Sequence, residues 1–169
     1  MITLAVAGFI AGCAGAGMRG EPDATAKLEP TKGNTASGTA TFTQRGDKVL
    51  VEAKVIGLAP NSEHGFHIHE KGDCSSGDGM STGGHFNPLK KTHAHYSAAE
   101  RHAGDLPALK ADDSGTATLS VEVDVITVTE SPTSIAWRGL IVHAQADDYK
   151  TQPTGNAGGR IACGVIQLK

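Results

Sequence analysis

Residues 37–58, SGTATFTQRGDKVLVEAKVIGL, decide the fold class. From Ser37 to Gln44, small or polar residues alternate with Ala40 and Phe42. From Lys48 to Leu58 the alternation resumes, with Val49, Val51, Ala53 and Val55 on one face. Gly46-Asp47 stands between the two runs as a turn. Successive side chains of a strand point to opposite sides, so this is the signature of a β-hairpin with one apolar face.

The same reading extends in both directions. Arg19 to Lys32 is polar and contains two Pro, and it forms a tether leading into a first strand near Thr25–Thr31. Pro60-Asn61 is a turn. His64 to Glu70 is a short strand with Phe66 and Ile68 on one face and His67 and His69 on the other. Gly72 to Leu106 has no lasting periodicity and is rich in Gly, Ser, His and Lys. An irregular stretch this long in a compact domain is functional or disordered. Strands resume at Pro107–Ala111, Thr116–Val125 and Ile135–His143. After a second loop, Asp147–Gly159, comes a last strand, Arg160–Leu168. The expected architecture is all-β: an eight-stranded antiparallel Greek-key barrel or sandwich with two long functional loops.

Composition agrees. The chain has 169 residues, enough for one domain, with 22 Gly and only seven aromatic residues. Its net charge of −3, with both signs scattered, argues against a nucleic-acid binder, which carries a basic stripe. No apolar run reaches the ~20 residues that span a bilayer.

Ile2 to Gly17 is uncharged and mostly Ala, Gly and larger apolar residues, the size of a signal-peptide core. Its Ile10-Ala11-Gly12-Cys13 resembles the bacterial lipobox, which predicts cleavage before Cys13 and a lipid on it. Met1 to Met18 holds no Lys or Arg, a departure from the charged start of such leaders. The alternative is a non-lipidated export signal cut after a small residue such as Ala16. Either way the chain is expected in an exported compartment, the bacterial periplasm or cell envelope. Lipidating Cys13 leaves Cys74 and Cys163, either as a bridge or as two buried thiols.

Seven of the eight His lie between His64 and His102. His67 and His69, one strand repeat apart, can face one ion. Downstream follow His85, His93, His102 and Asp105, enough N and O donors for a tetrahedral site. His143 ends an apolar strand and needs a partner. Imidazole donors without thiolate suit copper and zinc. Seven donors are one short of two four-coordinate ions unless one ligand is shared. His64 falls on the face of Phe66 and is expected in the core; His95 is expected as a solvated loop residue.

Four segments carry a resemblance. Gly65-Phe66-His67-Ile68-His69-Glu70, Gly83-Gly84-His85-Phe86-Asn87-Pro88, Arg101-His102-Ala103-Gly104-Asp105 and the run from Gly155 to Ile166 are similar to copper/zinc superoxide dismutase, and the likeness extends from about Thr35 to Leu168. The resemblance implies copper on His67, His69, His85 and His143, and zinc on His85, His93, His102 and Asp105, with His85 as the bridge. It implies that Asp147 links a copper His to a zinc His, that Arg160 stands beside the copper, and that Cys74 pairs with Cys163. The implied reaction converts superoxide to dioxygen and hydrogen peroxide, with His85 and Arg160 in catalytic roles. The domain boundaries expected are 1–17 for the leader, 18–34 for the tether and first strand, and 35–169 for the dismutase domain. Ala94-His95-Tyr96-Ser97 and the short loop after Asp148 depart from eukaryotic members and look like the bacterial branch. Lys90, Lys91 and Lys150 are candidates for steering the substrate, against a purely solubilising role. Superoxide is the expected partner, a homodimer is left open, and the rival is a copper- or zinc-binding protein on the same fold without dismutation.

Overall fold

The structure, a computed structural model, describes residues 21–169. The leader and the lipobox at Cys13 lie outside the described residues. The strands are β1 (Ala24–Pro30), β2 (Ser37–Arg45), β3 (Lys48–Ile56), β4 (Glu63–His64), β5 (Phe66–His69), β6 (Leu109–Lys110), β7 (Ala117–Val123), β8 (Gly139–His143), β9 (Arg160–Val165) and β10 (Gln167–Leu168). The helical content among the described residues is one 3-10 turn, Met80–Thr82.

The hairpin read from residues 37–58 pairs from Ser37↔Ile56 to Arg45↔Lys48, so its loop is the two residues Gly46-Asp47. Gly46 sits at φ 61, the left-handed value that the first central position of such tight turns requires. Val49, Val51 and Val55 are fully buried and Ala53 nearly so. The sheet order is β5-β8-β9-β1-β2-β3-β7, all antiparallel, with β10 on β1. The ring returns from β7 to the start through an Ala111↔Ala117 bridge and the β4–β6 pair, since β4 runs into β5. Leu28, Phe42, Phe66, Ile68, Leu140 and Ile166 fill the interior.

Some strand limits differ from the sequence reading. The His64–Glu70 strand breaks at Gly65, whose N–H donates to Gln145 O and whose carbonyl accepts from His143 N, both at 2.8 Å. Residues 135–138 belong to a turn rather than to β8, and Ile166 bonds to Arg138 instead of continuing β9. Only Leu109–Lys110 of the expected Pro107–Ala111 is strand. Each break comes where a bent segment finds its backbone partners off the ladder.

Strand β5 positions the site. One edge pairs with β8. The other is taken by two loop segments: Phe86 N–H donates to Ile68 O (2.8 Å), Ile68 N–H to Gly104 O and Gly104 N–H to Phe86 O (both 2.9 Å). A Cβ on Gly104 would stand 2.2 Å from Ile68 O, so only glycine permits this approach. The irregular loop 72–106 thus gains backbone order where it carries His85 and Asp105, which bridge to His69 and His67. Cys74 and Cys163 form a disulfide that ties the start of this loop to β9.

Candidate metal centre

His67 and His69 leave β5 on the side opposite Phe66 and Ile68, yet all four are fully buried. The loops carrying His85, His93, His102 and Asp105 cover that side. The ligand atoms fall into two groups: His67, His69, His85 and His143, and His85, His93, His102 and Asp105. Within each group they lie no more than 4.8 Å apart, and every member is buried. His85 alone belongs to both.

Hydrogen bonds fix which nitrogen of each ring is bare. His67 Nε2–H donates to Asp147 Oδ2 at 2.7 Å. His69 Nδ1–H donates to Gly83 O at 2.9 Å, and His143 Nδ1–H to Gly158 O at 3.2 Å. The opposite nitrogens, His67 Nδ1, His69 Nε2 and His143 Nε2, have no partner, and neither does His85 Nε2. A buried polar atom without a partner is costly. Four unpartnered imidazole nitrogens, on residues whose ligand atoms gather within 4.8 Å of one another, fit a cation that imidazole coordinates, as copper or zinc does.

The second group surrounds one carboxylate oxygen. His85 Nδ1 and His93 Nδ1 each lie 3.0 Å from Asp105 Oδ1, and His102 Nδ1 lies 3.5 Å away without a hydrogen bond of its own. Asp105 Oδ2 is held by the backbone N–H groups of Ala94 (3.2 Å) and His102 (3.0 Å). Three imidazoles and a carboxylate make a four-donor set of the kind that zinc takes.

Burial lowers the basicity of His67 and, more strongly, of His69; it brings His85 to about 4 and His143 to about 3, so these rings are neutral at neutral pH, the state in which imidazole can coordinate a metal. His93 is the exception. Burial would lower it, but hydrogen bonds to Asp105 and Asp147 raise it to about 9. Burial would likewise raise Asp105, but the imidazoles of His102, His85 and His93 hold it far below the carboxylate range.

Asp147 links the groups: its Oδ2 takes His67, and its Oδ1 takes His93 Nε2–H at 2.9 Å and Tyr149 N–H at 2.7 Å. The sequence reading missed Gln152, whose Oε1 accepts from His93 N–H and whose Nε2 donates to His93 O, both at 2.8 Å. It also missed the surroundings of Arg160, where Nη1 donates to Gly79 O (2.6 Å) and Thr82 Oγ1 (2.8 Å), and Nη2 to Gly83 O (2.7 Å). Gly83 O thus receives both Arg160 and His69. No motif announces either contact, because both join residues far apart in the chain.

The remaining candidates stay outside the two groups. His64 is buried, with Nδ1 against His143 O and Nε2 against Ser62 Oγ, both at 2.7 Å. His95 is exposed and packs on the rings of Tyr96 and Tyr149. Lys91 pairs with Glu100 at 2.6 Å, and Lys90 and Lys150 are exposed.

Comparisons with known proteins agree with this arrangement. The family description "Copper/zinc superoxide dismutase (SODC)" matches residues 36–166. "Superoxide dismutase [Cu-Zn] 1" of Aquifex aeolicus (strain VF5) is 40% identical over 134 residues, 77% of this chain and 79% of the relative. "Superoxide dismutase [Cu-Zn] 2" of the same organism is 38% identical over 148 residues, 85% and 86% of the two chains. Among solved structures, that of the "clock protein EA4" superposes with a TM-score of 0.79 at 42% identity, covering 88% of this chain and 96% of the other.

Proposed function

The chain belongs to the copper/zinc superoxide dismutase family, and from that premise we propose that its two histidine groups do the family's work at named atoms. The reaction joins two superoxide ions and two protons to give dioxygen and hydrogen peroxide. Copper would be held by His67 Nδ1, His69 Nε2, His85 Nε2 and His143 Nε2. Zinc would be held by His85, His93 and His102 through Nδ1 and by Asp105. The carrying observation is that the unpartnered nitrogens are the bare ends of rings whose other ends are tied.

Copper supplies a one-electron couple to this site, and zinc supplies a fixed charge without redox chemistry. The chain supplies the rest. His85 Nε2, when not engaged as a donor, would be the atom that takes a proton and passes it to product, and Nδ1 faces Asp105 in the second group. Asp147 keeps His67 and His93 in register through one carboxylate. Arg160 docks the anion. It has five N–H donors, of which three are paired, leaving two for substrate. Its partners are two carbonyls and a hydroxyl, so its charge is not cancelled by contact. Overall charge is −3, so attraction of an anion has to be local.

Export and lipidation at Cys13 complete the reading. They rest on the uncharged apolar leader and the Ile10-Ala11-Gly12-Cys13 sequence, and the Cys74–Cys163 disulfide suits an oxidising compartment. Mass spectrometry of the mature N-terminus tests this; an unmodified start after Ala16 rejects the lipid. The mass in solution decides between monomer and homodimer, for which exposed Met80 and Trp137 offer apolar surface.

The central test measures superoxide decay by stopped flow on protein of known metal content. One copper and one zinc per chain are expected. His67→Ala should lose copper and activity with zinc retained, and Asp105→Asn should lose zinc first. Saturation at one metal per chain, or no faster decay with both metals bound, defeats the assignment.

A further inference from the structure

Thr82 has a role that neither the metal sets nor the family motifs assign. It closes the short 3-10 turn Met80–Thr82 and is fully buried. Its Oγ1–H donates to Gly79 O at 2.8 Å. With its one hydrogen committed there, the hydroxyl can only accept on its other side. Arg160 Nη1 sits at that side, 2.8 Å away, and also donates to Gly79 O at 2.6 Å. Thr82 Oγ1, Gly79 O and Arg160 Nη1 thus form a closed triangle of hydrogen bonds.

The Thr82 side chain is itself immobilised. Lys71 N–H donates to Thr82 O at 2.9 Å, anchoring the residue to the end of β5. A Cβ on Gly139 would stand 2.7 Å from Thr82 Cγ2, so the methyl packs against the start of β8. A β-branched residue held at backbone and methyl keeps one χ1 rotamer, which aims its hydroxyl at Arg160. Arg160 is only partly buried, and a long side chain in that position otherwise samples several rotamers. Among the described residues no carboxylate forms an ion pair with its guanidinium. Thr82 therefore offers orientation without neutralising charge, which a carboxylate there could not do.

We propose that Thr82 is a positioning residue that holds the Arg160 guanidinium in its anion-receiving pose. This rests on the reading that Arg160 docks superoxide. Removing the hydroxyl leaves the Arg160 bonds to Gly79 O and Gly83 O in place, so part of the pose survives and a loss of about threefold to fivefold is expected.

The test uses fully metallated wild type, Thr82→Val, Thr82→Ser, Arg160→Ala and the double variant Thr82→Val/Arg160→Ala. Two quantities are read at low ionic strength: the second-order rate of superoxide decay, and the dissociation constant of azide from the copper absorption spectrum. Thr82→Val should lower the rate and weaken azide by about threefold to fivefold, with copper and zinc content unchanged. Thr82→Ser should return both to within about twofold of wild type, because it keeps the hydroxyl. In the Arg160→Ala background Thr82→Val should add nothing, since a positioning residue has no effect without the group it positions. If Arg160→Ala loses rate and azide affinity but Thr82→Val keeps both, the positioning role is wrong. It is equally wrong if Ser fails to rescue or the two effects simply add. If Arg160→Ala changes neither quantity, the docking role of Arg160 falls, and the role of Thr82 with it.

Discussion

Replacing both Cys74 and Cys163 by Ser tests how much of the stability comes from the covalent tie between loop and barrel. The two cysteines are 89 residues apart in sequence. In the chain-entropy account, a loop of that length removes ~4.6 kcal/mol of freedom from the unfolded chain at 25 °C. The folded side should change little, because the segment is held independently of the sulfurs. Lys32 N–H donates to Gly77 O at 2.7 Å, Lys71 N–H to Thr82 O at 2.9 Å, and Arg160 makes three bonds to residues 79–83. For a chain of this size each kcal/mol is worth ~2–4 °C, so the melting temperature should fall by ~9–18 °C. The measurement is calorimetry on metal-free protein, paired with the urea midpoint, after a thiol count confirms the bridge in wild type. A fall below ~4 °C with an unchanged urea midpoint would refute the entropic reasoning.

Three further outcomes are expected. Arg160→Ala should lower the second-order rate about tenfold: a unit charge ~5 Å from the anion at an effective dielectric near ~20 gives ~3 kcal/mol, of which desolvation leaves ~1–2. Arg160→Glu should cost more, and the wild-type rate should fall with salt; equal rates for wild type and Arg160→Glu at low salt would remove the electrostatic role. Gln152→Ala should weaken zinc by up to about tenfold with copper affinity unchanged, read by competition with a zinc chelator, because two hydrogen bonds to the His93 backbone are lost. Metal-free protein should be most stable near neutral pH. His85 and His143, lowered to about 4 and about 3 in the fold, give stability that is lost as pH drops below ~6.5; His93, raised to about 9, gives stability that is lost as pH climbs from ~6.5 through about 9. Urea midpoints from pH 5 to 10 check this, and a midpoint that rises steadily towards acid would contradict it.

Much of this was legible in the residues. The alternation at 37–58 marked the hairpin, and the strand period at His67 and His69 put both rings on one side. The seven donors were visible as types, and the arithmetic asked for a shared ligand. What the sequence could not show is contact across the barrel. Gln152 reaches His93 over 59 positions and Thr82 reaches Arg160 over 78. Neither belongs to a periodic run, so neither could be told from an ordinary loop residue. The strand breaks at Gly65 and Ile166 were missed for a related reason: alternation continues through a bend even when the backbone changes partner.

The backbone seam between β5 and the two loop segments carries a consequence for how this chain tolerates change. Phe86 and Gly104 are both stitched to Ile68, so His85 and Asp105 sit beside fixed stitches. Lengthening or shortening the chain between the stitches would not drag either ligand out of place. His93 and His102 lie between them: His93 is steadied by Asp147 and Gln152 from another loop, and His102 by its N–H, which donates to Asp105 Oδ2 at 3.0 Å. Variation is therefore best absorbed at residues 87–92 and 95–100, where insertions can accumulate while the ligands on either side stay put.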